Sequence, residues 1–229
     1  MGTLNIDRYH AAMGDASYKE VTRLHDRSLS QAKATFYVTQ RKLDFAPCLG
    51  HERLVRSLLD SQIDRPRLRF LEQDRGGLKL FAQAVEDMHF VGRVRAVRPA
   101  TIVFAQEPFA DITGEFGLTQ AQEIKFEHAF DLPMTTASIA LRLRMAAGDR
   151  WLSDFSLRRC GDVERAVEVA TFAFIGGFND TSNMEAAHRL DIPAVGTEAH
   201  YWQQSYIEFM DQPEIEPRTG QPKHFEQVA

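Results

Sequence analysis

The sequence is poor in the features that mark several protein classes. Only two of its 229 residues are cysteine, Cys48 and Cys160, and neither has a Cys or His neighbour at metal-ligand spacing. No zinc site and no other protein-held metal is expected from that pattern. No apolar run approaches the ~20 residues that a membrane-spanning helix needs, and the amino terminus lacks a charged-then-apolar leader pattern. Cytoplasmic residence is therefore the default expectation, with no membrane partner. The net charge of −5 gives no footprint for nucleic acid. No fixed-period repeat and no low-complexity tract occurs. What is present is ordinary for a globular chain: 44% hydrophobic and 26% charged residues.

The first half alternates helical and strand patterns. Residues 5–19 read as a helix, with Asp7 in its first turn and Tyr9, Ala12, Met13 and Ala16 on one face. Residues 33–43 have strand composition. Helices are expected at 51–62, with Leu54, Leu58 and Leu59 inward, and at 78–88, with Leu80, Phe81, Ala84 and Val85 inward. Arg65, Arg67 and Arg69 alternate, which reads as a solvated strand or loop face. From Phe90 to Phe116 a period of two, broken by Pro99-Ala100 and Gln106-Glu107-Pro108, predicts two or three antiparallel strands.

Residues 118–147 read as a long helical region, capped at Thr119, broken near Pro133 and ended by Gly148. Short units then alternate. Trp151 to Leu157 is an expected strand, Val163 to Phe174 a helix with Ala166, Val169, Ala170 and Ala173 inward, and Ile175 to Phe178 a short strand. Ser182 to Leu190 follows as a helix capped by Ser182, then a strand from Ile192 to Val195 and a helix over 201–210. This rhythm predicts parallel βα units. Residues 211–229 read as a linker or a truncated tail. Three regions follow: an α+β domain at 1–116, long helices with the first part of an α/β barrel at 117–210, and the tail. Four such units do not close a barrel of about eight strands and leave open edges. The chain is therefore expected to be a fragment, unless another segment completes it.

Three stretches concentrate polar, charged and glycine residues: Phe155-Ser156-Leu157-Arg158-Arg159, Gly176-Gly177-Phe178-Asn179-Asp180-Thr181-Ser182-Asn183, and Gly196-Thr197-Glu198-Ala199-His200. Each follows or ends a short apolar run and precedes a helical segment, which places it at the carboxyl end of a parallel strand. In a barrel of this type sites are built on that face. A guanidinium, a glycine turn with amide and hydroxyl groups, and an imidazole would converge there on a small anionic ligand and phosphate groups. Cys160, next to the Arg pair, reads as a small buried side chain at a strand end.

At these stretches, and at Asp7-Arg8-Tyr9, the chain resembles the amino-terminal portion of the nicotinate phosphoribosyltransferase family, over about residues 4–210. The resemblance implies an α/β fold in which an amino-terminal α+β domain precedes the first βα units of an incomplete type II phosphoribosyltransferase barrel. It implies ATP-assisted joining of nicotinate to phosphoribosyl pyrophosphate, giving nicotinate mononucleotide and pyrophosphate in NAD salvage. Mg²⁺ and ATP enter as implied cofactors, and a homodimer with a shared site is implied.

By the same resemblance, Phe155 stacks on one face of the pyridine and Tyr9 of a second subunit on the other. Arg158 binds the carboxylate and nearby phosphate, and Gly176, Gly177, Asn179, Thr181 and Ser182 contact substrate; Arg159 is expected to point outward because neighbours on a strand face opposite ways. Nicotinamide-specific relatives carry Asp where this chain has Ser182, so a neutral serine favours the acid. His200 is the implied phosphoryl acceptor, since imidazole is a nucleophile near neutral pH. Glu198 is a candidate for orienting the ring or helping to bind Mg²⁺. The family's later acidic residues and glycine-rich phosphate loops have no counterpart here, so turnover by this polypeptide alone is not expected. Two alternatives stay open: a non-catalytic binding or dimerisation module, and a phosphoribosyltransferase for another heterocyclic acid.

Overall fold

The computed structural model describes residues 6–19, 28–60, 63–86 and 92–209. The expected tail at 211–229, the ends of the helices expected at 51–62 and 78–88, and Phe90 and Val91 lie outside these residues. The order is α1 (Arg8–Lys19), β1 (Lys33–Thr39), β2 (Phe45–Pro47), α2 (His51–Leu59), α3 (Arg65–Glu72), α4 (Lys79–Glu86), β3 (Gly92–Ala96), β4 (Ile102–Phe104), β5 (Pro108–Glu115), α5 (Phe116–Thr119), α6 (Glu123–Ala147), β6 (Ser153–Asp154), α7 (Val163–Ile175), β7 (Asp180–Thr181), α8 (Met184–Leu190) and α9 (His200–Phe209). The result is a mixed α/β fold.

The antiparallel strands form as expected, and the structure decides their pairing. β5 is central, flanked by β1 and β3, while β2 pairs with β4. Register places Phe36, Ile112 and Val94 in one row and Tyr37, Asp111 and Arg95 in the next. The first row faces the core. In the second, Arg95 donates to Asp111 at 2.9 Å, and Tyr37 is exposed. Because successive strand residues alternate sides, this single register sets the apolar row against the core and the row with the Arg95–Asp111 pair on the opposite face.

The main core gathers Leu54, Leu58, Phe109, Ile112, Phe126, Phe130 and Met134, drawn from both sides of residue 116. Cys48 is fully buried there, and burial pushes its thiol up to about 11. A second core joins α1, α3 and α4 through Ala11, Leu68, Leu71, Phe81 and Val85. Buried Asp15 of α1 accepts from the backbone N–H groups of Leu80 and Phe81 at 2.8 and 3.2 Å. A residue distant in sequence thereby satisfies the orphan donors at the start of α4.

Several expectations are corrected. In α1 the inward residues are His10, Ala11, Gly14, Asp15 and Ser17, whereas Tyr9 and Met13 are exposed. The apolar spacing found a shared face, and the buried face is the other one because buried Asp15 and His10 have polar partners, at the start of α4 and in Glu123. Leu59 is exposed rather than inward. In α4 Ala82 is buried, with Leu80 and Ala84 only half so. The alternating arginines lie on helix α3, where Asp64 caps Arg67 N–H, Pro66 occupies the first turn, and Leu68 and Leu71 are buried. Start signals and a three-residue apolar spacing outweigh the alternation of charge.

Thr119 is buried and makes no cap. Helix α6 runs unbroken through buried Pro133. Proline removes the donor that would reach the carbonyl of Ala129. That carbonyl is packed against Gly50, where an added Cβ would lie 2.2 Å from the oxygen. Gly148 ends the helix as expected, with φ of 59°. In α7 the buried face holds Val167 rather than Val169.

Gly50 also has φ of 125°, a region that disfavours any side chain. Gly50→Ala should destabilise the protein by about 3 kcal/mol through strain and overpacking, read as a drop of about 5–10 °C in Tm.

Two surface ion pairs set an acid limb. Hydrogen bonds from Arg8 and from Gly76 N–H hold Asp74 below the ordinary carboxylate range, and Arg189 does the same for Glu164, tying α8 to α7. A depressed carboxylate contributes stability that is present above its unfolded value, near 4, and is lost as pH falls through the folded one. Urea titrations between about pH 6 and about pH 3 should show less acid loss in Arg8→Ala/Arg189→Ala than in the parent.

Candidate functional site

Three extended segments run side by side in parallel in the last third of the chain. β6 pairs with β7 through Ser153–Asp180 and Asp154–Thr181, and Thr181 bridges Ala194 on its other side. The strand expected over Trp151 to Leu157 is thus only two residues long. The strand expected over Ile175 to Phe178 is instead the end of α7 and a glycine turn, with β7 following at Asp180. Alternation of apolar runs located the units but not the short stretches that pair.

Parallel alignment puts the carboxyl ends of all three segments on one edge. From that edge leave Phe155 to Arg159, Ser182-Asn183, and the segment from Val195 to His200. Phe155 is 42% exposed, and Arg158 is exposed in a 3-10 turn over Leu157–Arg159. Arg159 is exposed too. Ser182 is half-buried and anchored by its N–H to the Asp154 carbonyl at 2.8 Å. His200 is exposed at the first residue of α9, and Gln203 contacts Glu198 at 3.5 Å. Cys160 is half-buried rather than buried and donates to the Ser156 carbonyl at 3.2 Å. Asn183, not Ser182, caps α8, accepting from Ala186 N–H at 3.2 Å. Ser182 is therefore free of the capping duty expected of it.

Gly176, Gly177 and Asn179 lie at the other end of β7. Gly176 is where α7 leaves α6: an added Cβ would sit 2.4 Å from the Ala140 methyl. Gly177 has φ of 109°, and its carbonyl accepts from Arg144 Nε–H at 2.7 Å. Asn179 Oδ1 accepts from Arg144 at 2.6 Å and from Leu152 N–H at 2.9 Å. Arg144 also donates to the carbonyls of Gly148 and Arg150. Its guanidinium thus holds the end of α6, the turn before β6 and the start of β7. Tyr9 sits elsewhere again, on α1, which packs mainly against α4 and α5. Its ring lies 4.0 Å from that of His10 and is half exposed.

Sequence reasoning missed Arg144 and Asp154. Asp154 is buried, accepts from Ser156 N–H at 3.0 Å and from Thr181 Oγ1–H at 2.8 Å, and Thr181 Oγ1 accepts in turn from Asn183 N–H at 3.1 Å. A carboxylate just before a polar turn was the one available sign of it. Nothing local marked Arg144, whose partners come from three separate segments. A cavity of about 460 Å³ opens elsewhere, between the end of β1 and the first half of α6, and none of the strand-edge residues lines it.

The Nicotinate phosphoribosyltransferase (NAPRTase) family model matches residues 151–219, the region that carries this edge. The nicotinate phosphoribosyltransferase of Bacillus subtilis is 26% identical over 208 residues, covering 89% of this chain and 41% of its own length. This chain is similar to the nicotinate phosphoribosyltransferases. The pncB2 enzyme of that name from Mycobacterium tuberculosis is 28% identical over 210 residues, with 90% and 44% covered. The chain thus spans less than half the length of these curated relatives. The fold is shared with the crystal structure of human nicotinic acid phosphoribosyltransferase, at a TM-score of 0.74 and 23% identity over 95% of this chain and 44% of that one. It is shared more distantly with nicotinate-nucleotide pyrophosphorylase from Pyrococcus furiosus, at a TM-score of 0.59 and 21% identity over 91% and 44%. Among the described residues no helix is long and apolar enough to cross a membrane.

Arg144→Ala should leave several acceptors half-buried and unpaired, costing about 2–3 kcal/mol. A urea titration followed by far-UV circular dichroism checks this, and Arg144→Lys should recover only part of the loss because one ammonium cannot span the same acceptors.

Proposed function

We propose that the chain forms part of a nicotinate phosphoribosyltransferase, serving the ATP-assisted synthesis of nicotinate mononucleotide and pyrophosphate from nicotinate and phosphoribosyl pyrophosphate. The observation that carries this reading is the common edge from which Phe155, Arg158, Ser182 and the segment ending in His200 all leave. Phe155 offers an accessible ring face for a flat heterocycle. Arg158 offers paired N–H groups to a carboxylate or phosphate, and Ser182 offers a neutral donor that does not repel an acid. His200 takes the terminal phosphoryl group of ATP with release of ADP, its charge lies beside the substrate, and water then hydrolyses the phosphohistidine to inorganic phosphate. Holding the reactants in line is the main catalytic task, since the sugar passes through an electron-poor state that needs little covalent assistance.

Tyr9 enters in this reading from a second copy of the chain, and its exposed ring supports that role. Gly176, Gly177, Asn179 and Thr181 serve by shaping the turn between α7 and α8, with their polar groups largely engaged inside the protein. Mg²⁺ and ATP belong to the proposal as cofactors of the whole enzyme. Among the described residues no three His, Cys, Asp or Glu side chains gather to hold a metal ion, so these residues do not fit a metal centre by themselves and no step is routed through one. Cytoplasmic residence is part of the same proposal.

A non-catalytic binding or dimerisation module is the second reading. One experiment tests both. Nicotinate is titrated into the chain by calorimetry, and pyrophosphate release is then followed with phosphoribosyl pyrophosphate and ATP. Release supports the enzyme and defeats the module; binding without release supports a nicotinate site, in a module or in a part of the enzyme that does not turn over alone; no binding of nicotinate defeats the nicotinate site. Arg158→Ala should weaken nicotinate by about tenfold or more, the loss typical of a charge-assisted contact. In the complete enzyme His200→Ala should abolish ATP consumption while leaving some transfer, and unchanged ATP consumption would remove His200 from the mechanism.

A further inference from the structure

We propose that Asp154 is a positioning residue that sets the two substrate-facing turns relative to each other. The inference rests on the reading of the strand edge as a nicotinate site and extends it to a residue with no assigned role. Asp154 is 5% exposed and Thr181 is fully buried. One carboxylate oxygen accepts from Ser156 N–H, which fixes the turn that presents Phe155 and Arg158. The other accepts from the Thr181 hydroxyl, whose oxygen accepts from Asn183 N–H. The backbone repeats the link, since Ser182 N–H donates to the Asp154 carbonyl.

Strands of two residues supply few ladder bonds, so they cannot by themselves hold two turns in a fixed relation. The buried carboxylate adds the missing constraint. It is anchored at both oxygens, and hydrogen bonds in a water-poor setting are strong and directional. Asp154 touches no reacting atom in this proposal. It acts through Ser156 on one side and through Thr181 and Asn183 on the other, and its loss lets the two turns drift apart.

The test uses the whole chain and a double-mutant cycle, read by nicotinate affinity and by amide hydrogen exchange. Asp154→Ala and Thr181→Val should each weaken nicotinate about tenfold or more. The double variant should lose no more than Asp154→Ala alone, because both break one link. Thr181→Ser, which keeps the hydroxyl, should recover most of the affinity. In Thr181→Val the Ser156 amide, on the other strand, should exchange about tenfold faster while amides in α2 keep their protection. Additive losses, or a Ser156 amide that does not respond, would overturn the proposal. If the parent chain binds no nicotinate even at millimolar concentration, the functional reading fails. The Ser156 exchange rate then decides the coupling by itself: acceleration in Thr181→Val upholds it and an unchanged rate ends it.

Discussion

The contact of α6 with everything on either side of it is the constraint on which this fold depends. Its first half fills the main core with Phe126, Phe130 and Met134 beneath the antiparallel strands. Its second half lies along α7, where Ala140 and Gly176 touch too closely for any further methyl group. Its last turn carries Arg144, whose guanidinium grips the beginning of the parallel strands. A helix of 25 residues is about 37 Å long at 1.5 Å per residue, enough to join both halves as one rigid strut. The strut runs through Pro133, and the carbonyl that loses its donor there is packed against Gly50, just before α2.

The two ends of the parallel strands are secured by different chemistry. At the amino end a cation collects carbonyl and amide oxygens from three segments. At the carboxyl end a buried carboxylate collects a hydroxyl and a backbone N–H. Very short strands need such help, because each contributes only a few ladder bonds to offset the chain entropy of its turns. The division also has a functional consequence. The end held by Arg144 faces away from the edge where Phe155, Arg158 and Ser182 keep surface exposed.

Much of this organisation was legible along the chain. The antiparallel region between β3 and β5, the end of α6 at Gly148, the helix beginning at Val163 and the alternation after it all follow from turn residues and periodicity, which are local. The polar stretch after β6 was likewise recognisable as a strand-end turn. The misreadings share one cause. Buried polar residues such as Asp15 and Asp154, the carbonyl freed by Pro133, and the glycine turn before β7 each depend on a partner far away in sequence, and no local pattern records that partner. The arginines of α3 are the exception: their start signal at Asp64 and Pro66 was local and was outweighed in the reading by the alternation of charge.

By itself the sequence determined the alternating units, the turn chemistry and the residue types at each strand end, together with a kinship to the nicotinate phosphoribosyltransferases. These are properties of short windows, in which propensity, capping and apolar spacing act through neighbours. Only the tertiary structure decided that Gly176, Gly177 and Asn179 stand at the opposite end of β7 from Ser182. Only it decided that Tyr9 faces outward and that Asp154 and Arg144 hold the strands in place. Those outcomes turn on register and long-range contact. A shift of a few residues in where a strand begins exchanges one end of it for the other, and the choice between them is made by packing across the whole molecule.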